Sequence, residues 1–159
     1  NVIGLGYIGL PTALMMACDL IIASENARFG FNFAGIAFCP DSGCSYFLVK
    51  KVGYHRAAEI LFFARLLNSE EASRLGLVNK VVPSEECLPE ATRWAERLAE
   101  GPGLAIKLDK KLLRQAEKFD MYQMAEMESM YQILTWASDD FREGCTAFLE
   151  KRKPDFKGK

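Results

Sequence analysis

Apolar and polar positions change their spacing along the chain, and the change falls near residue 100. Before it, short apolar runs alternate with stretches of helical period. Val2 to Leu5 reads as a short strand. Leu10 to Ala17 reads as a helix that admits Pro11 only because a first-turn residue needs no N–H. Leu20 to Ala23 is a continuous apolar run of strand length, and Ala27 to Gly30 is a second short strand candidate. Residues 31–41 fit neither period. Ser42 to Lys50 and Tyr54 to Ala64 carry helical spacing on either side of Gly53, which acts as the stop between them. Ser69 reads as an N-cap, with Glu70 and Glu71 in the first turn of a helix that ends at Leu75-Gly76. Leu77 to Val82 predicts a strand closed by Pro83. Glu86 to Ala99 is amphipathic, and Gly101-Pro102-Gly103 is the clearest break.

Beyond that break only helices are predicted, over 104–117, about 120–137 and about 139–151. The pattern therefore divides the chain into a mixed α/β part, residues 1–100, and a helical part, residues 101–159. The second part is too thin to enclose a core and is expected to dock on the first or on another subunit. Met121, Met124, Met127, Met130, Ile133, Leu134 and Trp136 recur at helical spacing, which predicts a core face or a subunit interface.

Composition narrows the function classes. Half of the 159 residues are hydrophobic, enough for a real core. With 20 basic and 21 acidic residues, the net charge of −1 supplies no face for nucleic acid. The longest apolar stretch, Leu10 to Ala23, is interrupted by Asp19, so no membrane span is expected. The five cysteines are scattered without a Cys-x-x-Cys pair. That pattern predicts reduced, mostly buried thiols in an intracellular protein, with no zinc knuckle and no disulfide framework. His55 is the single histidine. It cannot build a histidine-based metal site and reads as a surface or capping residue. The chain opens on Asn1 with neither an initiator Met nor a leader pattern, and reads as a fragment or an internally started product. Cytoplasmic, mitochondrial and peroxisomal locations all stay open.

Two motifs carry candidate chemistry. Gly4-Leu5-Gly6-Tyr7-Ile8-Gly9 matches G-x-G-x-x-G, and its surroundings resemble the opening of nucleotide-sugar dehydrogenases, with Glu25 near the place of a ribose-binding acid. Nothing after residue 30 continues a doubly wound fold. The second motif is Pro40-Asp41-Ser42-Gly43. It is ordinary turn and helix-start chemistry, yet a carboxylate among Phe31, Phe33 and Phe38 could also exchange a proton with a substrate.

Longer stretches carry a resemblance that spans most of the chain. They run from Ala17-Cys18-Asp19-Leu20 through Arg28-Phe29-Gly30, then Pro40-Asp41-Ser42-Gly43. They continue from Leu67-Asn68-Ser69 through Val81-Val82-Pro83, and from Arg142-Glu143-Gly144 through Lys153-Pro154. In that order they resemble the crotonase superfamily of enoyl-CoA hydratases and isomerases. The resemblance implies a partial ββα spiral followed by a C-terminal helical trimerisation region, in a homotrimer or dimer of trimers. A typical member is longer at its N-terminus.

It also implies an acyl-CoA thioester substrate, with coenzyme A as part of the substrate and no separate cofactor or metal. Two backbone N–H groups would stabilise an enolate, one of them on Leu10, where Pro11 follows in place of a more permissive glycine run. The two water-handling glutamates of hydratases fall on Ala13 and Phe33, which cannot move protons. Asp41 falls where a subset of isomerases carries its catalytic carboxylate. The resemblance therefore implies an enoyl-CoA isomerase of fatty-acid β-oxidation type, with Asp41 as acid/base. A hydratase using Asp41 alone, or a non-catalytic acyl-CoA binder, are the alternatives. Phe33 and Phe38 would line the acyl site, while Phe148 and Lys151 would meet coenzyme A from a neighbouring subunit.

Overall fold

The computed structural model describes residues 10–158. The strand expected at Val2 to Leu5 and the glycines from Gly4 to Gly9 lie outside them. The chain forms two compact units, one running to Thr92 and the other starting at Arg93.

The first unit opens with helix α1 (Leu10–Met16) and two short strands, β1 (Ile22–Ser24) and β2 (Arg28–Gly30). A 3-10 turn at Ala34–Ile36 precedes helices α2 (Cys44–Val52) and α3 (Tyr54–Phe62). Strand β3 (Leu66–Asn68), helix α4 (Ser69–Arg74) and strand β4 (Lys80–Val82) follow, and α5 (Cys87–Ala99) begins after a second 3-10 turn. β1 pairs in parallel with β4, placing Ala23 against Val81, and β2 pairs antiparallel with β3, placing Phe29 against Leu67. α1 packs on α2, α2 on α3, and α4 on the ends of both strand pairs. Met16, Phe31, Leu48, Ile60, Leu67 and Leu77 are fully buried between these elements.

Several boundaries differ from the sequence pattern, each for a local reason. β3 was not anticipated, because three residues are too few to display alternation; its pairing with β2 creates it. β1 begins later than its apolar run because Ile21 is held by a side chain. The Ile21 N–H donates to Asn79 Oδ1 at 2.8 Å, and the Asn79 N–H donates back to the Ile21 carbonyl at 2.8 Å. α2 begins at Cys44 rather than Ser42, since Ser42 (φ 51°) and Gly43 (φ 77°) are left-handed and cannot open an α-helix. α4 is capped by Asn68 rather than Ser69. Asn68 Oδ1 accepts from the Glu71 N–H at 2.8 Å, and the Glu71 carboxylate accepts from the Asn68 N–H at 3.2 Å. Such a reciprocal cap is worth about 1 kcal/mol. Ser69 is instead buried, its hydroxyl donating to the Glu25 carbonyl at 2.6 Å.

The second unit contains α6 (Gly103–Gln115), α7 (Met121–Trp136) and α8 (Asp139–Glu150), with α7 packed against both neighbours. Asp120 and Gln123 form the capping box of α7, and the Ser138 hydroxyl caps α8. Met124, Met127, Tyr131 and Thr135 form the half-buried face of α7. Met121, Met130, Ile133, Leu134 and Trp136 are exposed, so the apolar stripe is not a core face within this chain.

Two smaller expectations also change or find their place. Among the thiols only Cys44 is buried; Cys39 and Cys145 are exposed, Cys18 and Cys87 intermediate, and all are free. His55 is exposed in the first turn of α3. Among the described residues no helix is long and apolar enough to cross a membrane.

Candidate active site

The loop between β2 and α2 sorts its side chains in two directions. Phe31 and Phe33 are spent in the core, while Phe38 is 59 % exposed. The Phe33 carbonyl accepts from the N–H groups of Ile36 and Phe38, which folds the loop back on itself. The chain then turns at Asp41, whose carbonyl accepts from the Cys44 N–H at 2.8 Å across the two left-handed residues. Positive φ at both central positions is the sign pattern of a type I′ turn.

Asp41 is itself exposed, so the expectation that phenylalanines exclude water from it does not hold in this chain. The reason is the sorting just described: the loop turns its large rings into the core before the carboxylate is reached. The Asp41 carboxylate does not cap α2 either, since Gly43 occupies the N-cap with no side-chain bond. Asp41 lies close enough to Cys44 to act on its thiol electrostatically. Burial first, and the Asp41 charge second, push the Cys44 thiol up to about 11, so it stays protonated at neutral pH.

Leu10 is the first residue of α1, where backbone N–H groups lack an intrahelical acceptor. α1 packs on α2, so Leu10, Phe33, Phe38 and Asp41 all belong to one unit, on a packed helix pair and the loop leading into it. Phe33 is buried, which removes its ring from a substrate surface in this chain.

Phe148 and Lys151 belong to the other unit, at the end of α8. Phe148 is 83 % exposed, and Lys151 closes the helix with a left-handed backbone (φ 56°). Phe148 also lines an apolar cavity of about 390 Å³, together with Leu104, Phe141, Cys145 and Phe156 among others.

Other groups escaped the sequence reading. Asn32 Oδ1 is buried without a hydrogen-bond partner, immediately before Phe33. Asp140 looks in sequence like an ordinary first-turn acid of a helix. In the fold it is buried and accepts from the N–H groups of Lys157 and Gly158 at 2.7 and 2.9 Å. Only the return of the tail, 17 residues later, reveals that role. Glu143 similarly grips Arg152 through both carboxylate oxygens, at 2.6 and 2.9 Å.

Residues 6–159 match the family described as enoyl-CoA hydratase/isomerase. The chain belongs to that family. The crotonyl-CoA hydratase of Syntrophomonas wolfei is 40 % identical over 149 residues, covering 94 % of this chain and 57 % of the relative. The 1,2-epoxyphenylacetyl-CoA isomerase of Escherichia coli is 32 % identical, covering 95 % of this chain and 58 % of that protein. The crystal structure of an enoyl-CoA hydratase from Bacillus anthracis superposes with a TM-score of 0.90 at 31 % identity, covering 100 % of this chain and 60 % of that one. The hydratase/isomerase fold is therefore present in part, as a portion of the crotonase ββα spiral with its helices. The chain spans about three-fifths of the length of these relatives.

Proposed function

We propose that the chain acts on an acyl-CoA thioester and moves a double bond in its enoyl group, with Asp41 as the acid/base. The observation that carries this reading is the state of Asp41: an exposed carboxylate that no described side chain hydrogen-bonds or pairs with, held at a fixed turn. The position that a hydratase would fill with its second glutamate holds the buried Phe33 instead. A single carboxylate can take a proton from one carbon and return it to another, which suits migration without net addition of water. The Leu10 N–H would share the stabilisation of the enolate oxygen. Coenzyme A enters as part of the substrate, and proton transfer of this kind needs no separate cofactor. Phe38 would contact the acyl portion, and Phe148 with Lys151 the nucleotide end of a coenzyme A held by a neighbouring subunit. The exposed apolar residues of α7 support assembly as a homotrimer or dimer of trimers.

The test is turnover of a 3-enoyl-CoA by the wild type and by Asp41→Asn. A loss of about 10²–10⁴-fold is expected, with thioester binding retained. Equal turnover by the two proteins rejects Asp41 as the base. Hydration is the second reading, favoured by the 40 % identity to a crotonyl-CoA hydratase. Incorporation of solvent oxygen into the product would select it. Binding of crotonyl-CoA without any turnover would select a non-catalytic acyl-CoA binder.

A further inference from the structure

The end of α8 is a hook with an uneven distribution of charge partners. Lys151-Arg152-Lys153 looks like a uniform basic run in sequence, but its three cations have different fates. Arg152 is heavily engaged: its guanidinium bonds both oxygens of Glu143 at 2.6 and 2.9 Å, and its Nε donates to Glu150 at 2.6 Å. Lys153 pairs with Glu100 at 3.0 Å. Further along, Lys157 pairs with Asp155 at 2.7 Å. Lys151 alone in this stretch has no carboxylate partner among the described residues.

The backbone of the hook is equally constrained. Lys151 occupies the left-handed closing position of α8, which usually favours Gly or Asn. The N–H groups of Lys151 and Arg152 donate to the Phe148 and Ala147 carbonyls at 3.3 and 3.0 Å. Glu143 holds the far side as well, accepting from the Asp155 N–H at 2.8 Å. One carboxylate thus fixes the chain on both sides of Pro154. A left-handed non-glycine residue persists where its surroundings over-determine it, and the Glu143–Arg152 fork lies on the next residue.

We propose that Glu143 is a positioning residue for the phosphate-bearing end of the thioester substrate. It grips Arg152, and through it holds Lys151 in its left-handed place, with a free ammonium one helical turn from the exposed Phe148. Lys151 is the phosphate ligand, while Arg152, though adjacent and equally basic, is structural. No ion pair among the described residues has to be surrendered when a phosphate meets Lys151. This rests on the acyl-CoA reading given above, which already places Lys151 at the nucleotide end, and adds what holds it there.

The experiment is calorimetric titration of the full chain with crotonyl-CoA and with crotonyl-pantetheine, which lacks the nucleotide. Wild type, Lys151→Ala, Glu143→Gln and Arg152→Lys are compared, with a melting curve for each. The Arg152→Lys variant keeps the charge and loses the two-pronged fork. Lys151→Ala, Glu143→Gln and Arg152→Lys are each expected to weaken crotonyl-CoA about five- to twentyfold and to leave crotonyl-pantetheine unchanged, since only contacts to the nucleotide end are disturbed. If Lys151→Ala shows this selectivity while Glu143→Gln and Arg152→Lys bind like wild type, the positioning role is overturned and the acyl-CoA reading stands. If Glu143→Gln and Arg152→Lys weaken both ligands alike, the fork is merely structural and the proposal is again overturned. If wild type binds neither ligand, the acyl-CoA reading and the proposal fall together.

Discussion

The two units of the chain use their apolar residues in opposite ways. The first draws large side chains from α1, α2, α3 and both strand pairs into one cluster, including Phe31, Leu48, Ile60 and Leu67 at no measurable exposure. The second buries few: among its described apolar residues, Leu108 and Ala147 are the buried ones, while Ile133, Trp136 and Phe148 stand mostly in water. What holds the second unit's termini is polar. Asp120 and Ser138 cap its helices, Asp140 collects two tail N–H groups, and Glu143 grips Arg152. One unit is stabilised by its own interior. The other has its termini fixed by hydrogen bonds and leaves much of its apolar surface exposed.

That contrast is sharpest in paired truncations. Leu48→Ala, at a fully buried position, should cost about 2–5 kcal/mol in chemical denaturation. Ile133→Ala, at 66 % exposure, should leave monomer stability within about 0.5 kcal/mol and instead weaken self-association in sedimentation. An Ile133→Ala chain as destabilised as Leu48→Ala would erase the distinction between the two units.

A smaller effect is expected at Asp140, where a buried carboxylate satisfies two backbone donors. Asp140→Ala should lose about 1.5–3 kcal/mol locally, with faster hydrogen exchange at the Lys157 and Gly158 amides and unchanged protection in β1 and β4. Uniform loss of protection across the chain would mean that the units do not behave separately.

The smallest effect concerns acid. The Arg152 hydrogen bond, and next the Asp155 N–H, hold the Glu143 carboxyl down at about 2, below its ordinary 4.5. A lowered folded value favours the ionised form in the fold. The contribution is therefore fully present above about 4.5 and is lost as pH falls toward about 2. Exchange at the Asp155 amide should rise over that window in wild type and show no such step in Glu143→Gln. A step of equal size in both proteins would assign the acid response to another group.

Periodicity located most helices to within a residue or two, because α3, α5, α6 and α8 each place enough apolar residues on one face to be counted. It missed β3 and mistimed β1 and α2, where the deciding interactions are a strand partner, the Asn79 side chain and two left-handed residues. The candidate site was legible in the same uneven way. The turn at Asp41 follows from Pro-Asp-Ser-Gly. The exposure of Asp41 and the burial of Phe33 do not, because both depend on which rings the loop turns inward.

Residue order by itself determined the family, the helical second half and the stop at Gly53, since these rest on local pattern and composition. Only the tertiary structure decided that Ser69 is a buried donor while Asn68 caps, that Met121, Met130, Ile133, Leu134 and Trp136 of α7 are exposed, and that Lys151 alone in its stretch has no carboxylate partner among the described residues. The physical reason is common to all three. A side chain's role is set by which partners reach it, and partners such as Glu25, Glu143 and Asp140 are brought by long-range folding rather than by neighbours in the chain.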